Sequence, residues 1–120
     1  MTVEDALHEV CESWNHLDPG RLAELFTDDG RFEDPLKEGV LVGQREIREG
    51  NAPAMAALER CEVTLDVIVA DGARAFAEGF FKSSLAGGGR LDFRFAMLVE
   101  MEGTRVKRVA EYFDTRPLIP

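Results

Sequence analysis

The spacing of apolar residues along this chain changes once, from three-and-four to two, and no other feature restricts the fold as much. From Val3 they recur at Ala6, Leu7, Val10, Cys11, Trp14 and Leu17, which lays one stripe along a core-facing helix. Thr2 can cap its start, with Asp5 three residues on. His16-Leu17-Asp18-Pro19-Gly20 interrupts the pattern and opens a second helix, with Asp18 as N-cap, Pro19 at the first helical position, and Leu22, Leu25 and Phe26 on its apolar side. Asp28-Asp29-Gly30 stops it. A short strand is expected from about Arg31 to Asp34, then a loop closed by Gly39 and Gly43. A third helical region should run from Gln44 to about Leu58, broken or kinked at Gly50-Asn51-Ala52-Pro53.

From Val63 the period is two. Val63, Leu65, Val67 and Val69 alternate with Thr64 and Asp66, Asp71-Gly72 signals a hairpin, and Ala73 to Leu85 forms the returning strand. After Ala86-Gly87-Gly88-Gly89, Leu91, Phe93, Phe95, Met97, Val99 and Met101 alternate over six positions. Glu102-Gly103-Thr104 turns the chain into a last strand from about Arg105 to Asp114. Val106 and Val109 there fall on opposite phases, so a bulge is expected near Lys107-Arg108. Helices first and an antiparallel meander second give an α+β domain, and 120 residues fit a single domain spanning 1–120.

Composition narrows the function classes. The longest apolar runs, such as Val67-Ile68-Val69-Ala70, fall far short of the roughly 20 residues that cross a bilayer. Met1-Thr2-Val3-Glu4-Asp5 lacks the basic start of a secretory signal, so a cytoplasmic protein without membrane partners is the expectation. Cys11 and Cys61 lack the paired spacing of a zinc site and read as reduced packing residues. No metal and no cofactor are expected. The net charge of −9 is concentrated in residues 1 to 34, which hold ten acids against two arginines; such a surface repels phosphate backbones and argues against nucleic acid as a partner. Gly87 to Gly89 lacks the strand-to-helix setting of a phosphate loop, and Ser83-Ser84 lacks a nucleophile elbow.

Two carboxylates break the apolar phase. Asp34, in Phe32-Glu33-Asp34-Pro35, points the same way as Phe32, and Glu111 shares a face with Val109 and Phe113. Burying an ionised acid costs several kcal/mol unless it is paired, so such acids belong to solvated strand ends or to pockets that alter their proton affinity. An acid before proline also caps turns, and Glu111 has arginines nearby with which to pair; both readings stay open alongside the functional one.

The order of elements, the run from Asp18 through Leu25-Phe26-Thr27-Asp28-Asp29 to Phe32-Glu33-Asp34-Pro35, the Gly43-Gln44-Arg45-Glu46-Ile47-Arg48 helix start and the closing Glu111-Tyr112-Phe113-Asp114 resemble the nuclear transport factor 2-like superfamily. Its ketosteroid isomerase and SnoaL-like polyketide cyclase branches are the most similar. The resemblance covers nearly the whole chain and implies a cone-shaped, cystatin-like α+β barrel, with three N-terminal helices packed in a curved, mostly antiparallel sheet around an apolar pocket. It also implies that Asp34 stands where the isomerases keep their general base. Their helix 1 tyrosine falls on Val10 and their protonated oxyanion-hole aspartate near Ala96, neither of which donates through its side chain; Tyr112 or Trp14 would have to substitute. Similarity to limonene epoxide hydrolase places Glu111 on one of its catalytic acids. The Arg-x-Asp element of that enzyme falls on Gly79 and Phe81, which disfavours epoxide hydrolysis. SnoaL-like cyclases use a final-strand acid as proton shuttle and need little else.

These implications lead to a small hydrophobic molecule as ligand. Asp34 would act as base and Glu111 as acid in an isomerase- or aldol-cyclase-like proton transfer. Trp14, Phe32, Phe80, Ala96 and Phe113 would line the pocket, and the outer sheet face, with Ala110 and Tyr112, would serve a homodimer. The alternative is a non-catalytic ligand-binding or dimerisation module. His8, within one helical turn of Glu4 and Glu12, and His16 at a helix end read as surface charges.

Overall fold

The structure is a computed structural model that describes residues 1–118. Helix α1 (Val3–Asn15) starts on a full capping box, in which Thr2 and Asp5 exchange side-chain and backbone hydrogen bonds of 2.9 and 3.0 Å. It ends in a Schellman turn, Asp18 N–H donating to the Ser13 carbonyl and Leu17 N–H to that of Trp14. Leu17 takes the left-handed position there, at φ 52°. Asp18 caps α2 (Pro19–Ala23) in turn, so the corner between the two helices is fixed by three consecutive residues.

Six strands form one sheet in the order β2-β1-β6-β5-β4-β3: β1 (Phe26–Glu33), β2 (Leu41–Val42), β3 (Leu58–Asp71), β4 (Arg74–Leu85), β5 (Arg90–Glu102) and β6 (Arg105–Phe113). Every pairing is antiparallel except β1 with β6, which is parallel. Helix α3 (Gly43–Ala56) lies between β2 and β3 in sequence, and a 3-10 turn (Arg116–Leu118) follows β6. The three helices and the inner sheet face enclose one core that includes Leu7, Val10, Leu22, Phe26, Phe32, Ile47, Val99 and Val109. Asn15 Oδ1 accepts from Val63 N–H at 2.7 Å and so pins α1 to the sheet edge at β3.

Element types agree with the periodicity, and the bulge in β6 falls where expected. Glu100 pairs with Arg108 but Met101 with Val106, leaving Lys107 as the extra residue and turning both Val106 and Val109 inward. Four boundaries differ, the first being that β3 begins at Leu58 rather than at Val63. The second helix ends at Ala23, and Phe26 already begins β1, because the backbone here bonds to β6: Val106 N–H donates to the Leu25 carbonyl, and the Arg105 guanidinium to that of Phe26. The loop before Gly43 contains β2. Helix α3 runs unbroken through Gly50 and Pro53. Gly50 is a space requirement, since a Cβ there would overlap the Leu41 side chain, and Pro53 sits in the last turn, where few hydrogen bonds remain to be lost.

A second bulge, at Asp66, divides β3. Leu65 pairs with Gly79 but Val67 with Glu78, so Val63 and Leu65 face the core while Val67 and Val69 turn to the outer face. The alternation of these four residues therefore does not place them on one side. Opposite this bulge a Cβ on Gly79 would overlap the Thr64 carbonyl oxygen and the Phe95 ring. Gly79→Ala should destabilise the protein by about 1–3 kcal/mol, the usual cost of overpacking, read as a lower urea midpoint with an unchanged denaturant slope.

Candidate functional site

Between α1, the end of α3 and the inner sheet face lies a cavity of about 180 Å³. Helix α1 contributes Val10, Cys11 and Trp14; the sheet contributes Val63, Phe81, Phe93, Phe95, Met97, Glu111 and Phe113. Ala54, Ala57 and Leu58 close one side, and Leu36, Lys37 and Leu118 stand around the mouth. Strand pairing assembles the aromatic wall. Val63, Phe81 and Phe93 lie opposite one another on adjacent strands, as do Phe95 and Phe113. The Phe81 and Phe93 rings stack at 4.7 Å, Phe93 and Phe113 meet at 4.8 Å, and Trp14 meets Phe81 edge-on at 5.7 Å.

Asp34 and Glu111 both open into this cavity, as their phase in the sequence implied. The parallel pairing of Glu33 with Ala110 brings the next residues, Asp34 and Glu111, side by side. The Asp34 side chain is only 5% exposed, and both its oxygens are engaged: Oδ1 accepts the Leu36 backbone N–H at 2.8 Å and Oδ2 accepts from the Lys37 ammonium. The turn-capping role and the pocket role therefore coexist in one residue. Lys37 also lies over the Phe32 ring, 5.1 Å from its centre.

Glu111 differs in having no hydrogen-bond or ion-pair partner among the described residues. The nearby arginine, Arg108, is on the opposite sheet face, bridging Glu33 at 2.7 Å and Glu100 at 3.0 Å. Glu111 borders the cavity and, with Asp34 and Phe113, a second and more open pocket that also includes Pro35, Ala110 and Tyr112. Burial first, and the Asp34 charge second, push its carboxyl up to about 8, with Lys37 opposing. At neutral pH Glu111 is thus mostly an uncharged acid beside a carboxylate. Burial and the same Glu111 push the Cys11 thiol up to about 12, and Cys61, buried as well, also reaches about 12, so neither is a ready nucleophile.

Of the residues expected to line the pocket, Trp14 and Phe113 do so. Phe32, Phe80 and Ala96 do not. Phe32 is wholly buried behind the cavity, edge-on to Phe26 at 6.4 Å. Phe80 faces outward beside Lys82 and Arg94, because register with β5 turns its neighbour Phe81 inward. Ala96 lies on the outer face opposite Tyr112, with Phe95 and Met97 facing in on either side. Tyr112 is likewise outside, 54% exposed, and cannot serve the cavity as a donor. Lys37 was not anticipated; its place three residues after an acid, across a proline, was the available signal. Gly79 has no room for the arginine of an epoxide-hydrolase element.

The raised Glu111 carboxyl makes stability depend on pH. The folded chain keeps a proton that the unfolded chain releases near 4.5, so the contribution of this group to stability is greatest below that pH and is lost as pH rises towards 8. Glu111→Gln removes this penalty. The variant should match the wild type in thermal stability at pH 4 and exceed it at pH 9, by no more than about 5 kcal/mol at ~1.4 kcal/mol per pKa unit, as read from unfolding curves at the two pH values.

Comparison with known proteins agrees with this fold. A hypothetical protein with a ketosteroid isomerase-like fold from Catenulispora acidiphila, crystallised with trimethylamine, superposes with a TM-score of 0.83 at 20% identity over 94% of this chain and 88% of that one. An NTF2-like protein of unknown function from Burkholderia pseudomallei gives 0.83 at 17% identity over 97% and 93%. An epoxide hydrolase from M. tuberculosis similar to limonene epoxide hydrolase gives 0.76 at 20% identity over 92% and 81%. At these identities the likeness is one of fold. No curated protein matches the sequence. The model of the SnoaL-like domain matches residues 7–109, nearly the full length over which the helices, sheet and cavity are built, and the chain belongs to that family, on the NTF2-like fold.

Proposed function

We propose that the protein binds a small apolar carbonyl compound in the cavity and moves a proton on it without a cofactor, as an isomerase or aldol cyclase does. The observation that carries this reading is the pair of adjacent carboxyl groups in one apolar cavity, of which Glu111 is held in its neutral form. Asp34, as carboxylate, takes the proton from the carbon alpha to the carbonyl. Glu111 donates its O–H to the carbonyl oxygen, so that charge developing on the enolate meets a donor in a site of low dielectric. A neutral Glu111 thereby fills the place left by Val10 and Ala96, which offer no donor. Asp34 then returns the proton to a second carbon for isomerisation; for ring closure, the enolate carbon attacks a second carbonyl and Glu111 protonates the alkoxide. Lys37 holds Asp34 in position and offsets the charge that passes between the two acids.

A second reading, a ligand-binding module without a reaction, is favoured by the engagement of both Asp34 oxygens before any ligand arrives. Conversion of cyclohex-3-enone to cyclohex-2-enone, followed by ultraviolet absorbance, separates the two. Turnover in the wild type, at least 100-fold slower in Asp34→Asn, is the expected result. Activity should fall above about pH 8 as Glu111 ionises, and Glu111→Gln should flatten that limb while lowering the rate. Binding without turnover across a panel of ketones would leave the binding module.

We also infer a homodimer through the outer sheet face, where Val69 is 61% and Tyr112 54% exposed alongside Val67 and Phe76, whereas Ala110, expected to share that contact, is buried. Light scattering should give twice the monomer mass, and Val69→Glu with Tyr112→Glu should restore the monomer. A wild-type monomer at high micromolar concentration would refute this assembly.

A further inference from the structure

Resting on the reading of the cavity as a ligand site, we infer that it selects for size, taking a molecule of one ring, with its oxygen directed at Asp34, Lys37 and Glu111, and excluding fused systems of three or more rings. The first support is volume. An apolar cavity of roughly 150 Å³ is known to accept benzene, and the cavity here measures about 180 Å³. That space holds one six-membered ring with one or two small substituents.

The walls are not free to retreat. Phe81, Phe95 and Met97 belong to the buried core, each at most 9% exposed, and Phe95 backs onto the crowded crossing of Gly79 with Thr64. Interiors packed to crystal-like density yield poorly to an extra ring. With its oxygen held among Asp34, Lys37 and Glu111, a longer molecule would have to drive its added rings into these walls.

Polarity within the cavity supplies the direction. Asp34, Lys37 and Glu111 converge where β1 runs beside β6, whereas Leu58, Val63, Leu85 and Leu91 present hydrocarbon around the β3–β4–β5 side. A ligand with one oxygen therefore has a single orientation that leaves no polar atom against hydrocarbon. The stacked and tilted rings of Phe81, Phe93 and Phe113 form a continuous aromatic wall along that path.

The test is a graded series sharing one acetyl group: acetophenone, 2-acetylnaphthalene and 2-acetylphenanthrene, with ethylbenzene as the oxygen-free counterpart, titrated by calorimetry and ligand-observed NMR. Acetophenone should bind at least tenfold more tightly than the three-ring ketone and about fivefold more tightly than ethylbenzene. Equal or tighter binding of the three-ring compound would overturn the size limit while leaving the pocket reading intact. Equal binding of ethylbenzene would overturn the oriented oxygen. Failure of every compound to bind would sink both this inference and the ligand-site reading. Leu91→Ala, a truncation at a half-buried wall position, should raise the affinity for 2-acetylnaphthalene relative to that for acetophenone at least fivefold; an unchanged ratio would overturn the wall as the limit. Phe93→Ala is the larger version, with the fluorescence of Trp14, the sole tryptophan, reporting that the chain has folded.

Discussion

Strand β6 is hydrogen-bonded on both sides, antiparallel to β5 and parallel to β1, and the site depends on this double pairing. Antiparallel register with β5 sets Glu111 opposite Met97 and Phe113 opposite Phe95, inside the aromatic wall. Parallel register with β1 brings Asp34 to the same place from the other end of the chain. The bulge at Lys107 makes both possible, because it lets Val106 and Val109 seal the core while the residues beyond them keep the phase that turns Glu111 inward. Without that extra residue, the acid and its apolar neighbours would face outward.

Once two carboxyl groups share an apolar space, their charges cannot be independent. The fold resolves the conflict asymmetrically. Asp34 lies at the end of β1, where the chain turns and can supply a backbone N–H from Leu36 and an ammonium from Lys37. Glu111 lies within a strand whose backbone groups are committed to the sheet, and Arg108 is held on the opposite face by Glu33 and Glu100. Denied a partner, Glu111 keeps its proton. The resulting pair has one group able to accept a proton and one able to give it, the division of labour on which acid–base chemistry near neutral pH relies. Its cost is carried by the rest of the core, which is why relief of that cost by Glu111→Gln is measurable as stability.

Much of this was legible in residue order, for local reasons. Capping by Thr2 and Asp18, the apolar stripe of α1, the hairpin at Asp71-Gly72 and the alternation of β5 depend on neighbours within a few positions. Asp34 and Glu111 stood out because each interrupts a local pattern. What misled was phase. In Phe80-Phe81 two adjacent phenylalanines give no hint of which faces in, and pairing with Phe93 decides it. Val67 and Val69 alternate with Val63 and Leu65 in sequence, yet the bulge at Asp66 turns them to the other face. Phe26 has the spacing of a helical residue, and the Arg105–Val106 backbone draws it into a strand.

The sequence by itself determined the kinds and order of the elements apart from β2 and the first residues of β1, the presence of one core and the two acids that do not fit it, because periodicity, caps and turn residues act over a few residues. Tertiary structure alone decided that these acids adjoin, that Lys37 takes one of them, that Phe81, Phe93 and Phe95 rather than Phe80 and Ala96 line the cavity, and how large that cavity is. These properties depend on strand register across pairs of residues up to 80 positions apart, as Phe26 with Val106, and on bulges that shift it by single residues. Register is set by the best simultaneous burial of all inward-facing side chains, a condition no local stretch of sequence contains.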